Sequence, residues 1–336
     1  MKALVLAGGQ GSRLRPLTPT LPKPLAPVAN RPVLVHVLEH LDRAGIEETG
    51  VIVPVADLTL YQRITGSGTP AGAPVRWLPE AAAAGTGGCL RQQAAFFAGE
   101  PVLVVPADIV SSADLTRLIG HHRSVGAAVT VAAVSRDGAL WAGDVLVPDR
   151  ARPGTAAGYH FKPAPSSGRL LGSTGAWVVE PDVLNRIPEH GFTDFSSQTL
   201  PGLPAPGVPL GLFDAGEIYL RDIGTPAKLL TGNLEAAAGR APAAVPTSPG
   251  AGAEIDPSAH VAGQVLIGEG ARIAADVRLR GPAVIGPHAV VGAGAHVESA
   301  LVLPGAHVAA GTRVVGEVVG DPVRTREVLL RLAARR

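Results

Sequence analysis

The chain has 336 residues, of which 46% are hydrophobic, 17% charged and 4% aromatic, with a formal net charge of +1. That length exceeds one ordinary domain and points to two, while the near-neutral charge, with no basic block before the C-terminal tail, argues against nucleic acid as a partner. A single cysteine, Cys89, excludes an intramolecular disulfide and a cysteine zinc site, and the short apolar run at the N-terminus suits neither a signal peptide nor a membrane span, so a cytoplasmic protein with no membrane partner is expected.

Residues 1–238 read as alternating strands and helices. Strands are predicted at 3–6, 50–55, 101–105, 127–134 and 175–179, and helices at 32–44, 85–97, 112–122 and 225–238, with Pro32 at a first helical position. Alternation of this kind gives a Rossmann-like α/β domain, a mostly parallel sheet with helices on both faces. Residues 239–253, GRAPAAVPTSPGAGA, have no periodicity and read as a linker. From Ile255 every sixth residue is aliphatic: Ile255, Val261, Ile267, Ile273, Leu279, Ile285, Val291, Val297, Leu303, Ala309 and Val315, with Ala309 alone unbranched. A period of six belongs to a hexapeptide-repeat parallel β-helix over 254–318, of roughly three to four coils. Residues 319–336, with Val323, Val328, Leu329 and Leu332 among arginines, read as an amphipathic cap on the solenoid's open end.

The chemistry begins where the first strand ends. Leu6 and Ala7 run into Gly8, Gly9 and Gly11, then Ser12 and Arg13, and Pro22-Lys23-Pro24 follows. Such a loop can bring backbone N–H groups to a phosphate, with a planar guanidinium and a compact ammonium beside it. Neither common phosphate loop is present: no lysine follows the glycines directly, and a GxGxxG reading from Gly9 lands on Leu14. Only four of the 29 basic residues are lysines (Lys2, Lys23, Lys162 and Lys228), so a lysine here points, chance aside, to a position that suits a compact ammonium.

The string from Gly8 through Thr18 to Pro24 resembles the GGxGTRLxPLT…PKP signature of the sugar-1-phosphate nucleotidyltransferases, with Ser12 where that family usually has Thr. The resemblance implies transfer of a nucleotidyl group from an NTP to a sugar 1-phosphate, with Mg²⁺ as cofactor. It implies a left hand for the β-helix and a homo-oligomer formed through it. On the matching positions, Leu6, Ala7, Gly8, Gly9, Gly11, Ser12 and Arg13 would bind nucleotide, and Arg13, Lys23 and Lys162 would act in catalysis.

Two carboxylates suit the metal. Asp108 follows the buried strand 101–105, with Ala107 where the family has Gly; Asp222 lies in Asp222-Ile223-Gly224-Thr225-Pro226, matching the family's D-x-G-T-P. As a plain helix N-cap, Thr225 before Pro226 serves better than Asp222. Lys162 matches the family's EKP string, but Phe161 replaces its Glu, and Gly172-Ser173-Thr174-Gly175 stands where NAG is expected. Phe161, Lys162, Ser173, Thr174 and Gly175 would thus face the sugar, and the departures point to an uncommon sugar or a sugar mimic. Glu80, five residues before Gly85-Thr86, sits where the family reads the base. A carboxylate there accepts from guanine N1 and N2, which favours GTP, whereas thymidylyltransferases usually carry Gln. A dTTP-using enzyme, which the segment 27–32 also resembles, and a non-catalytic NDP-sugar sensor are the alternatives. Among other candidates, His121-His122 reads as helix surface, Trp77, Trp141 and Trp177 as core or pocket wall, and Cys89 as a small buried residue. His260, His288, His296 and His307 would suit an acyltransferase only with a cofactor cleft between longer coils.

Overall fold

The computed structural model describes residues 1–203, 208–243, 245 and 248–335, so Ala244, Pro246 and Thr247 of the linker lie outside the described residues. In chain order the elements up to residue 238 are β1 (Lys2–Leu6), α1 (Val33–Arg43), β2 (Glu48–Pro54), α2 (Leu58–Thr65), β3 (Val75–Glu80), α3 (Gly85–Gln92), β4 (Val102–Pro106), β5 (Ile109–Ser111), α4 (Leu115–Val125), β6 (Val129–Asp137), β7 (Val145–Pro148), β8 (Thr155–His160), β9 (Arg169–Val179), β10 (Leu210–Asp214), β11 (Leu220–Asp222) and α5 (Pro226–Ala237).

Among the described residues, nine of these strands form one sheet in the order β3-β2-β1-β4-β9-β6-β10-β8-β7. The first four are mutually parallel, and β10 runs parallel to β6. Strand β9 enters antiparallel to both β4 and β6, and the sheet finishes antiparallel through β8 and β7. Ala3, Leu4 and Val5 of β1 are fully buried, which is why the strand is apolar without alternation: helices cover both faces. Leu34, Leu38, Leu41 and Tyr61 fill one face, and Leu90, Phe97, Trp177 and Phe195 the other.

Three local readings change. Pro32 is not helical but pairs with Pro27 in a two-residue ladder just before α1. The stretch 85–97 is two helices, broken at Gln93 before Ala94–Phe97. His122 is buried, its ring nitrogens 2.8 Å from Thr130 Oγ1 and 3.0 Å from Glu180 Oε1, so only His121 keeps a part-exposed place. Strands β7, β8 and β10, flanked by Gly or Pro, add to the strands read from the sequence.

The C-terminal repeat is a parallel β-helix whose described residues form three four-stranded parallel sheets. Coil length is 18 residues until the corner at Glu298-Ser299-Ala300, which is one residue shorter than the corner at 280–283 above it. The interior positions therefore slip by one, to Val302, Val308 and Val314, all buried, while Ala309 and Val315 (41% exposed) face outward. The lone Ala in the six-residue count is thus no exception: the interior position is Val308. The coil also begins before 254. Ser248 Oγ accepts from the Ile267 amide and donates to the Val265 carbonyl, and the Gly250 amide donates to the Ile267 carbonyl.

The solenoid is docked on the first domain. Helix α5 lies against the sheet containing Ala283–Ile285 and Leu301–Val302, and Val110, Ile223 and Leu229 share one core with Ile285, Val302 and Leu303. The Asn30 side-chain amide donates to the Ile285 carbonyl at 3.1 Å. Asn233 of α5, fully buried, accepts from the Ala29 amide at 3.0 Å and donates to the Pro27 and Leu229 carbonyls at 2.9 and 3.0 Å. The tail forms a helix, α6 (Pro322–Ala333). It joins the domains instead of lying only at the solenoid's end: Val328 reaches Gly305 at a coil corner, Leu329 enters the core of the first domain, and α6 lies along α2.

Candidate active site

Strands β1 and β4 are parallel neighbours, so both deliver their carboxyl ends to the same edge of the sheet, where open α/β sheets bind ligands. A cleft of about 490 Å³ opens there, lined by Leu6, Gly8, Gly9, Gln10, Glu80, Gly85, Thr86, Cys89, Asp108, Gly175 and Trp177, and also by Phe192 and Asp194.

The loop after β1 is fixed from below. Gly11 has φ 60°, the left-handed region, and the Thr18 hydroxyl donates to its carbonyl at 2.9 Å. Gly8 has a different reason to lack a side chain: a Cβ there would stand 2.6 Å from Glu80 Oε2. The first glycine of the string therefore makes room for a carboxylate, and Gly9, with nothing near its missing side chain, is the one that faces open space. Glu80 is buried, and its Oε1 accepts from the Ala84 amide at 2.9 Å, which leaves Oε2 and a second lone pair on Oε1 toward the cleft. Ala7 stays in the core.

A charged cluster sits beside the cleft. Lys23, in the 3₁₀ turn Lys23–Leu25, pairs with Asp108 Oδ2. Asp222 ends β11, which pairs with β5, so Asp222 stands opposite Ile109 and next to Asp108; the Ile223 amide donates to the Asp108 carbonyl at 3.2 Å. Asp222 Oδ1 accepts from the Gly224 amide at 2.7 Å, and Oδ2 pairs with Lys228. A Cβ on Gly224 would stand 2.5 Å from Asp222 Oδ1, 3.2 Å from Lys23 Nζ and 3.6 Å from Arg13 Nη2, so Gly224 keeps open the ground on which these three groups meet. Burial alone would raise the Asp222 pKa; the Lys228 ammonium, the Gly224 amide and the Lys23 charge outweigh it and hold the carboxyl below its usual range. Thr225 caps α5 through the Lys228 amide. Arg13 and Ser12 are exposed, and Arg13 has no hydrogen-bond or ion-pair partner among the described residues.

The residues read as facing the sugar divide. Gly175 lines the cleft, and the Ser173 hydroxyl accepts from the Gly175 amide at 3.2 Å. Thr174 points to the opposite side of β9 and spends its hydroxyl on the Ala132 carbonyl at 3.0 Å. Phe161 and Lys162 lie exposed outside the cleft, the Lys162 ammonium 4.6 Å from the centre of the Phe161 ring. Asp144, which the sequence did not single out, anchors this region: it accepts from the Tyr159 hydroxyl at 2.6 Å and from the Lys162 amide at 3.2 Å, and its carbonyl accepts from the Ser173 amide. Burial and the Asp144 charge push the Tyr159 phenol up, so it stays a donor.

Thr86 and Asp194 were joined only by the fold. The Thr86 hydroxyl donates to Asp194 Oδ2 at 3.0 Å, and the Thr193 carbonyl accepts from the Gly87 and Gly88 amides, so loop 192–195 is clamped to the start of α3. Cys89 is buried, its thiol pushed up to about 12 by burial first and the Glu80 charge second.

A family model described as "Nucleotidyl transferase" matches residues 2–239. This chain belongs to the nucleotidyl transferase family. Its similarity extends beyond the matched part. It is 32% identical to a mannose-1-phosphate guanylyltransferase of Mycobacterium tuberculosis over 92% of this chain and 81% of that one. It is 28% identical to mannose-1-phosphate guanylyltransferase 1 of Arabidopsis thaliana over 94% and 82%. Among solved structures, HddC from Yersinia pseudotuberculosis shares the fold with a TM-score of 0.58 at 21% identity, covering 69% of this chain and 97% of that chain. Members of this family generally use a divalent metal. The donors here suit one: two neighbouring carboxylates that share the Lys23 charge, hard oxygen ligands that substrate phosphates can complete. Among the described residues no cluster of three or more His, Cys, Asp or Glu could hold an ion unaided, and no helix is long and apolar enough to cross a membrane.

Proposed function

We propose that this protein is a sugar-1-phosphate guanylyltransferase. A phosphate oxygen of the sugar 1-phosphate attacks the α-phosphorus of GTP, the bond to the β-phosphate breaks, and GDP-sugar and pyrophosphate leave. The observation that carries this reading is the meeting of Arg13, Lys23 and Asp222 around Gly224, with Asp108 paired to the same Lys23, beside the cleft that holds Glu80. Such a transfer needs little covalent help; the protein positions and neutralises the phosphates. Arg13, unpartnered and exposed, offers its fork to phosphate oxygens of the triphosphate, and Lys23 adds a point charge between the two aspartates. Lys162 takes the sugar phosphate. Asp108 and Asp222 would hold Mg²⁺, which when bound supplies positive charge to the reacting phosphates. The names of the relatives make mannose 1-phosphate the first acceptor to test, and the loss of a carboxylate at Phe161 supports a sugar held by fewer hydroxyl contacts on that side. A homo-oligomer through the β-helix belongs to the same proposal, supported by exposed Val261, Val290 and Val315 on its outside.

The base assignment is tested by kcat/KM for GTP against dTTP. Glu80 can accept from guanine N1 and N2 together, whereas thymine offers one N–H between two carbonyls. A lost bidentate contact of this kind is worth about 1–3 kcal/mol, so GTP should be preferred roughly ten- to a hundredfold. Glu80→Gln should shrink that ratio, because its amide brings a donor. Equal use of dTTP by the wild type would make this a thymidylyltransferase; no turnover with any NTP would favour the sensor.

The two phosphate assignments separate in steady-state kinetics. Arg13→Ala should raise KM for the NTP, and Lys162→Ala should raise KM for the sugar phosphate. Identical defects toward both substrates in both variants would remove the distinction.

A further inference from the structure

The metal assignment leaves one cation unexplained. Asp108 and Asp222 are each paired with an ammonium, Lys23 and Lys228 respectively. The two lysines are not equivalent. Lys23 sits in a turn between Pro22 and Pro24, its side chain 12% exposed, and it reaches both carboxylates: it pairs with Asp108, and its charge bears on Asp222. Lys228 lies in the first turn of α5, its side chain 46% exposed, and among the described residues its ammonium pairs with Asp222 alone. A first turn is also where the helix dipole disfavours a cation, so local helix physics does not explain a lysine there. The chain otherwise prefers arginine, and it keeps one of its four lysines at this place.

We propose that Lys228 is a displaceable counter-cation for Asp222, holding that carboxylate in its binding rotamer before the dication arrives and giving the oxygen up to it. This rests on the reading of Asp222 as a metal ligand. A carboxylate oxygen that receives a dication must shed a competing ammonium, because the two cations repel at contact distance. Lys228 is free to swing into solvent, whereas Lys23 is enclosed and stays between the aspartates. The consequence is a built-in threshold: metal must compete with a tethered lysine, and apparent metal affinity is set partly by the strength of that surface pair.

The test is Mn²⁺ binding to the full-length, metal-free protein, read as loss of the free-ion EPR signal, with no turnover involved. Lys228→Met should bind Mn²⁺ about three- to tenfold more tightly than wild type, the scale of removing a half-exposed ion pair and one nearby positive charge. Lys228→Arg, which keeps the charge, should stay near wild type. Adding Asp222→Asn to Lys228→Met should abolish the gain. Unchanged or weaker Mn²⁺ binding by Lys228→Met overturns the proposal, as does a gain that survives Asp222→Asn. If wild type and Lys228→Met both bind no Mn²⁺ with or without pyrophosphate, the metal reading itself fails, and this inference with it.

Discussion

Asp108→Asn and Asp222→Asn will each lower kcat by at least about a hundredfold, the scale of losing one preorganised electrostatic element. Each substitution keeps the shape of the side chain and removes one negative charge from a cluster that holds two carboxylates, two lysines and Arg13. Without its charge, the altered position no longer balances the neighbouring ammonium, and it is a poorer ligand for a hard dication. Turnover measured as pyrophosphate release at saturating substrates, across a Mg²⁺ titration, reads the effect. Near-native kcat in both variants would show that the aspartates do not carry the metal. A defect that excess Mg²⁺ repairs would show that they bind it without shaping the transition state.

Asn233→Leu should destabilise the protein by about 2–4 kcal/mol, because it removes the side chain that satisfies the Ala29 amide and the Pro27 carbonyl. Asn233 is fully buried and takes the Ala29 N–H and the Pro27 carbonyl from a turn in which Ala29 and Asn30 both have positive φ. The melting temperature, followed by calorimetry, should fall by about 5–10 °C. An unchanged melting temperature would mean that the turn repacks without this side chain.

Much of this was legible in the chain itself. An unbroken apolar run emptying into glycines places β1 and its loop, because a strand buried on both faces has no other composition available to it. The six-residue period placed the solenoid but not its last coil: deleting one residue at Ser299-Ala300 leaves local composition intact and shifts every later interior position by one. The charged cluster was half readable. Arg13, Lys23, Asp108 and Asp222 lie in recognisable strings, but Lys228 was visible only as a lysine in an arginine-rich chain. Asp144, Asp194 and Phe192 carried no signal, since nothing local says that loop 192–195 closes on α3 or that Asp144 underlies Lys162. Thr174 failed for a simpler reason. Alternation along β9 gives neighbouring residues opposite faces, so Ser173 and Thr174 cannot both look into one cleft.

The shared core between α5 and the solenoid bears on where this protein can be cut. The family match ends at residue 239, yet water is excluded by a boundary that runs elsewhere: Val110, Ile223 and Leu229 on one side are closed over by Ile285, Val302 and Leu303 on the other. A chain ended at the family boundary would bare that seam, directly behind Asp222. Shuffling catalytic halves among relatives should therefore succeed only when the matching coil travels with them, so the heritable unit here is the pair.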